Sequence, residues 1–249
     1  MNVVILTGAS RGLGAARAER LLAPDCQLIC ISRKPNDALA EMARAKNAAL
    51  DWYLQDLADA DATDALAQSI CASLPRDASR YALVHNAALA EPVGRLETLD
   101  VKALAAATQV NLTAAMILTA RLLAATRNLD GKRRILNISS GLARRPMDGT
   151  AAYCATKAGL DMFTRCINVE AQATQAHVRA VSLAPGVIDT DMQIGMRGHD
   201  MQGFPESQTF RAMKDEGRLS SPDAVAEKIV AFLQSEDFGA TELDDIRNH

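Results

Sequence analysis

"VVILTGASRGLGAARAERLL", residues 3–22, is the stretch whose reading decides the architecture of this chain. The run "VVILT" (3–7) is apolar, β-branched and too short for a helix, as a buried strand is. A helix-patterned segment follows from Gly12 onward. Between them Gly8, Gly12 and Gly14 stand at the spacing GxxxGxG, which differs from the GxGxxG of the common dinucleotide fingerprint. The context is nevertheless strand, glycine-rich turn, helix. Glycines there let the backbone approach a pyrophosphate and leave helix N–H groups pointing at it. A tight turn alone does not require three of them. Gly8, Ser10, Arg11, Gly12, Leu13 and Gly14 are therefore expected to form a phosphate-binding turn.

The same alternation continues down the chain. Short apolar runs at 26–32, 50–55, 81–86, 134–139 and 178–185 alternate with helix-like segments near 12–23, 36–46, 60–74, 98–128 and 151–175. Such regular alternation predicts an α/β fold, a doubly wound parallel sheet with helices on both faces in three layers. Residues 191–220, "DMQIGMRGHDMQGFPESQTFRAMKDEGRLS", break the pattern with four glycines, four methionines and no clean period. A long irregular insertion in a compact domain reads as a lid or binding loop, with methionines as an adaptable apolar wall. Ser221 and Pro222 then open a capped helix over 221–234. One domain, 1–249, with a lid near 191–220, is the expected organisation.

Composition narrows the function classes. Apolar residues are 49 % of the 249 and charged residues 23 %, a mix that fills a sizeable core. A net charge of −3 gives no basic face for nucleic acid. The N-terminus lacks the basic region and length of a signal peptide, and no apolar run is expected to cross a bilayer. Cys26, Cys30, Cys71, Cys154 and Cys166 are odd in number and include no CxxC, so neither a disulfide framework nor a metal site is expected. Reduced, mostly buried thiols in a cytoplasmic protein are the simplest reading. After the second strand the chain reads "ISRKPN". An NAD-preferring site would carry an acid there; Arg33, with Arg11 in the glycine turn, suits a 2′-phosphate instead. The cofactor expected is NADPH/NADP+.

"TGASRGLG", "HNAA" (85–88), Asn111, "NISS" (137–140), "YCATK" (153–157) and "APGVIDT" (184–190) come in one order over about three-quarters of the chain. Together they resemble the short-chain dehydrogenase/reductase family, nearest the sepiapterin reductase and benzil reductase branch. The resemblance implies a Rossmann-like fold and a catalytic set of Asn111, Ser140, Tyr153 and Lys157. Ser140 is preferred to Ser139 because it stands thirteen residues before Tyr153, the family's spacing. The resemblance also implies cofactor contacts from Asp56, Asn86, Tyr153, Lys157, Pro185, Gly186, Ile188 and Thr190, with Asp56 at the adenine and Thr190 at the nicotinamide amide. Asn111 is expected to fix a water that relays protons to Lys157.

The chemistry can be stated physically. A lysine ammonium one turn from Tyr153 favours the phenolate, so Tyr153 can pass a proton to a carbonyl oxygen as hydride reaches the carbon. Ser140 would hydrogen-bond that oxygen as charge develops on it. Each residue also has a plainer use: Asn111 as a buried amide, Ser139 and Ser140 as a strand end, Asp56 or Thr190 as a helix cap. Two departures from the family pattern stand out. Ala88 replaces the usual glycine, and "FGATELDDIRNH" lacks the glycine-rich final strand, leaving Glu242, Asp244 and Asp245 as either substrate contacts or a solvated tail. The reading is an NADPH-dependent carbonyl reductase of a small ketone or 1,2-dicarbonyl. A 3-oxoacyl-thioester reductase and a non-catalytic NADP-sensing regulator are the alternatives. In this family the helices near 98–128 and 151–175 pair between subunits, which implies a homodimer or homotetramer.

Overall fold

The computed structural model describes residues 1–200 and 203–249. Its strands are β1 (Asn2–Thr7), β2 (Cys26–Ser32), β3 (Ala49–Leu54), β4 (Arg80–His85), β5 (Lys132–Ile138), β6 (Val178–Ala184) and β7 (Leu243–Asp245). The helices are α1 (Gly12–Leu21), α2 (Asp37–Ala45), α3 (Ala60–Ala72), α4 (Val101–Thr108), α5 (Ala114–Thr126), α6 (Ala151–Ala173), α7 (Asp191–Gly198), α8 (Ser207–Asp215) and α9 (Pro222–Gln234). The sheet runs β3-β2-β1-β4-β5-β6-β7 and every neighbouring pair is parallel. Chain order reverses between β1 and β4. A crevice at the carboxyl ends of those two strands is where such sheets bind ligands.

Side chains alternate across a strand, so each central strand feeds two cores. Val4, Leu6, Leu28 and Cys30 meet Leu13, Ala18 and Leu21 of α1 and Ile229 and Leu233 of α9. Val3, Ile5, Ile29 and Ile31 meet Ile70 of α3, Leu118 and Leu122 of α5 and Ile167 of α6. This is the three-layer doubly wound sheet expected from the sequence.

Four differences from the sequence reading have physical reasons. The insertion after Pro185 is not irregular: it folds into α7 and α8, and it leaves and returns at one point, where Ile188 bridges Ser220. Phe204 anchors it, fully buried, stacked on Phe210 at 6.0 Å and set edge-on to His199 at 5.9 Å. Met201 and Gln202, part of the expected lid, lie outside the described residues. The segment near 98–128 is α4 and α5 joined by a π turn, Gln109–Thr113. Contrary to expectation, Val101–Thr126 is long and apolar enough to cross a membrane by length and composition. Its alanines raise the hydropathy, while Ala107, Ala114, Leu118 and Leu122 are buried in the protein. Third, the C-terminal segment does contribute a short strand, β7, paired to Ser182–Ala184. Fourth, only Cys26 and Cys30 are buried; Cys71 and Cys154 are half-buried and Cys166 is exposed.

Candidate active site

The glycine turn is built as the crevice requires. Gly8 and Gly12 have φ of +70° and +54°, in the left-handed region that favours glycine. A methyl group on Gly14 would lie 2.0 Å from the carbonyl oxygen of Gly8 and 2.6 Å from Asn86 Nδ2. The turn is tied down on two sides: the Gly8 N–H donates to Ile31 O at 2.8 Å, and Asn86 Nδ2 donates to Thr7 O and Gly8 O, each at 3.0 Å. Helices α2, α3, α4 and α9 each have a first-turn N–H capped by a side chain, from Asn36, Asp59, Asp100 and Ser221 respectively. Helix α1 has no side-chain cap and no acid in its first turn. Free N–H groups and a positive dipole end at an uncapped terminus suit an anion, so these residues fit the diphosphate of a dinucleotide.

The other expected cofactor residues lie in that turn or follow the carboxyl ends of the parallel strands. Ser10 is half-buried, Leu13 is buried, and Arg33 is exposed just past β2. Asp56 follows β3; its Oδ1 accepts from Ala58 N at 3.0 Å, while the cap of α3 is Asp59. Pro185, Gly186 (φ +75°) and Ile188 follow β6, and Thr190 begins α7 without a side-chain cap bond. A methyl group on Gly12 would meet Thr190 Cγ2 at 3.6 Å. Arg11 pairs with Asp191 at 2.8 Å, joining the turn to the first residue of α7.

Ser140, Tyr153 and Lys157 also meet at this edge of the sheet. Ser139 and Ser140 follow β5, but their side chains differ in use. Ser139 is buried and donates to Asp161 Oδ1 at 2.6 Å. Ser140 is half-buried, accepts from Leu142 N at 3.1 Å and interacts with the Tyr153 hydroxyl. Lys157, one helical turn after Tyr153, donates to Ile138 O at 2.7 Å and stands 5.6 Å from the centre of the Tyr153 ring. Cys154 contacts Thr150, with Sγ and Oγ1 3.2 Å apart. Asp161 also accepts from Ser182 Oγ at 2.6 Å and from Arg144 Nε at 3.0 Å. This network, which the sequence reading missed, holds the strand end that presents Ser140.

The electrostatics differ from the sequence expectation. Burial pushes the Tyr153 phenol up to about 12, against the Ser140 hydroxyl, which acts downward. Burial pulls Lys157 down to about 8; the carboxylate of Asp161 acts against this and the guanidinium of Arg17 with it. Tyr153 is thus a protonated phenol at neutral pH, the form a proton donor needs. Asn111 spends both N–H donors, on Leu89 O at 2.9 Å and Thr156 Oγ1 at 3.1 Å, and accepts from Leu89 N at 2.7 Å. It sits in the π turn, a feature frequent at functional sites. Asn111, Thr7, His85, Ala87 and Lys157 surround one closely packed gap too narrow to hold a water.

The C-terminal acids are committed. Asp244 is buried against His249, 2.9 Å, and Asn248, 3.0 Å. Asp245 holds Arg247, and Glu242 lies 3.8 Å from Arg165.

Comparisons with known proteins agree with this fold. The short chain dehydrogenase family matches residues 2–200. A benzil reductase ((S)-benzoin forming) of Bacillus cereus is 36% identical over 244 residues, 98% of each chain. Sepiapterin reductase of Mus musculus is 31% identical, over 95% of this chain and 93% of its own. Among solved structures, the KRED1-Pglu enzyme superposes with a TM-score of 0.80 at 27% identity, covering 96% of this chain and 98% of its own. A metagenomic short-chain oxidoreductase in complex with NADP superposes with a TM-score of 0.73 at 25% identity, over 98% of this chain and 94% of its own. With the glycine turn at the switch point and Ser140, Tyr153 and Lys157 at the same edge of the sheet, this chain belongs to the short-chain dehydrogenase/reductase family of oxidoreductases.

Proposed function

We propose that this protein is an NADPH-dependent carbonyl reductase acting on a small ketone or 1,2-dicarbonyl. The observation that carries the reading is a half-buried, protonated Tyr153 beside Ser140 and Lys157, at the edge of the sheet that also holds the glycine turn and the start of α1. The dinucleotide, when bound, supplies the hydride. Tyr153 donates the proton to the carbonyl oxygen, and Ser140 donates a hydrogen bond to that oxygen as charge accumulates on it. Lys157 holds the ribose of the cofactor and steadies the phenolate left behind. Met192 and Ile194, exposed on α7, offer apolar surface to an aromatic or aliphatic substrate. The benzil reductase relative supports a dicarbonyl. Arg33, at the position where an acid would bind the NAD ribose, supports the 2′-phosphate.

Exposed Val101, Met116, Met162 and Val169 on α4, α5 and α6 support pairing with a second copy of this chain. The test is NADPH oxidation with benzil, followed at the absorbance of the reduced cofactor. Tyr153→Phe should lower kcat by at least about a hundredfold while NADPH still binds. Turnover of the variant at the wild-type rate would remove Tyr153 from the reaction.

A further inference from the structure

Arg17 is out of place by the logic of its own helix. Leu13, Gly14, Arg17, Ala18 and Leu21 form the buried, sheet-facing stripe of α1, where the pattern calls for an apolar residue. The guanidinium is fully buried. Nη2 donates to Asn86 Oδ1 at 2.6 Å, and Nε and Nη1 have no partner among the described residues. Burial pulls its pKa down to about 9, with no carboxylate acting against it. It therefore remains charged at neutral pH. An unpaired buried charge costs stability, and a local rule broken in this way is expected at functional sites.

Its position says what the charge is near. Through Asn86 it reaches the glycine turn, because Asn86 holds the carbonyls of Thr7 and Gly8. It also lies within electrostatic reach of Lys157 and lowers that ammonium's proton affinity. Arg17 thus sits one side chain away from the glycine turn and within electrostatic reach of the residue assigned to the nicotinamide ribose. A nicotinamide ring is neutral when reduced and carries one positive charge when oxidised. A fixed cation in a low-dielectric setting repels only the second form.

We propose that Arg17 is a specificity-determining residue whose fixed positive charge makes the site hold the reduced dinucleotide more tightly than the oxidised one. The inference rests on the NADP(H) reading above. That charge favours release of the oxidised dinucleotide over release of the reduced one; on the bound cofactor it works against the positive charge that hydride donation leaves on the nicotinamide.

Titration calorimetry on the full chain, with NADPH and NADP+ measured separately, tests this. The wild type should bind NADPH more tightly. Arg17→Gln keeps a donor for Asn86 and removes the charge; it should lower the ratio Kd(NADP+)/Kd(NADPH) by about threefold or more. Arg17→Lys should keep most of the ratio. Arg17→Met should lower the ratio and raise Tm, because it removes an unpaired buried charge. A ratio unchanged in both neutral variants would overturn the proposal. So would an equal loss of both nucleotides with a lower Tm, which would make Arg17 a support for Asn86 only. If the wild type itself binds neither nucleotide, the cofactor reading fails, a result distinct from failure of the Arg17 variants alone.

Discussion

At the residue scale, the site works through opposing shifts on two neighbours. The hydrophobic surroundings that keep Tyr153 protonated also loosen the proton of Lys157, because burial penalises whichever form is charged. Lys157 is an ammonium below about 8 and loses its charge above it. The kcat/KM for carbonyl reduction should therefore fall as pH rises through about 8, since this profile reports the free protein. A profile flat from pH 6 to 10 would detach Lys157 from the reaction. Arg33 offers a second test at this scale. Arg33→Asp should weaken NADPH far more than NADH, by about tenfold or more, through loss of a charge-assisted contact and gain of a repulsion. Equal losses in binding titrations would remove the 2′-phosphate argument.

At the element scale, the contrast between helix termini carries the most information. Ser221 accepts from Ala224 N at 3.2 Å and starts α9. Ser221→Ala should cost about 1 kcal/mol, a fall in Tm of roughly 2–4 °C for a chain of this size. Helix α1 has no such cap and no acid in its first turn; α6 and α8 share that, and what sets α1 apart is the glycine turn that precedes it. Gly14→Ala would put a methyl 2.0 Å from Gly8 O, so the turn must open. Dinucleotide binding should drop by about tenfold or more, measured by the same titration. The α7–α8 insertion is also an element with a definite anchor. It is closed at its base by the Ile188–Ser220 bridge and by Asp189, which binds Lys214 at 2.6 Å. Arg11 and Asp191 tie its first turn to the glycine turn, so a group bound to Arg11 competes with the insertion for that guanidinium.

At the scale of the whole molecule, one buried imidazole links the site to acid stability. His85 ends β4, is buried, and pairs with Thr119, Nε2 to Oγ1 2.9 Å. Burial first, and then the charge of Lys157, lower its pKa from 6.5 to about 3. Between those values the unfolded chain binds a proton that the folded one refuses. The stability His85 contributes is thus complete above about 6.5 and is lost as pH falls toward about 3. The slope approaches about 1.4 kcal/mol per pH unit for one proton. Urea unfolding between pH 4 and 7 should show a steeper loss in the wild type than in His85→Asn. Parallel curves would contradict the assignment.

Much of this molecule was legible in the linear chain. Strand alternation, the glycine turn and the cap at Ser221 are local patterns, and local sterics and periodicity impose them whatever lies across the sheet; the set Ser140, Tyr153 and Lys157 was legible only through a family resemblance. The distant contacts were not legible. That Ser139 serves Asp161 while Ser140 meets Tyr153, that Asn111 spends its amide on Leu89 and Thr156, and that Leu243–Asp245 adds a strand beside β6 depend on partners far away in sequence. The fold of the insertion depends on burying Phe204, not on its own period. Arg17 is the clearest case: nothing around it in the sequence says that it is buried. The chain itself determined which elements form and which chemical groups they carry. Only the tertiary structure decided the charge state and strength of those groups, because desolvation and Coulomb interactions are sums over neighbours that folding brings together.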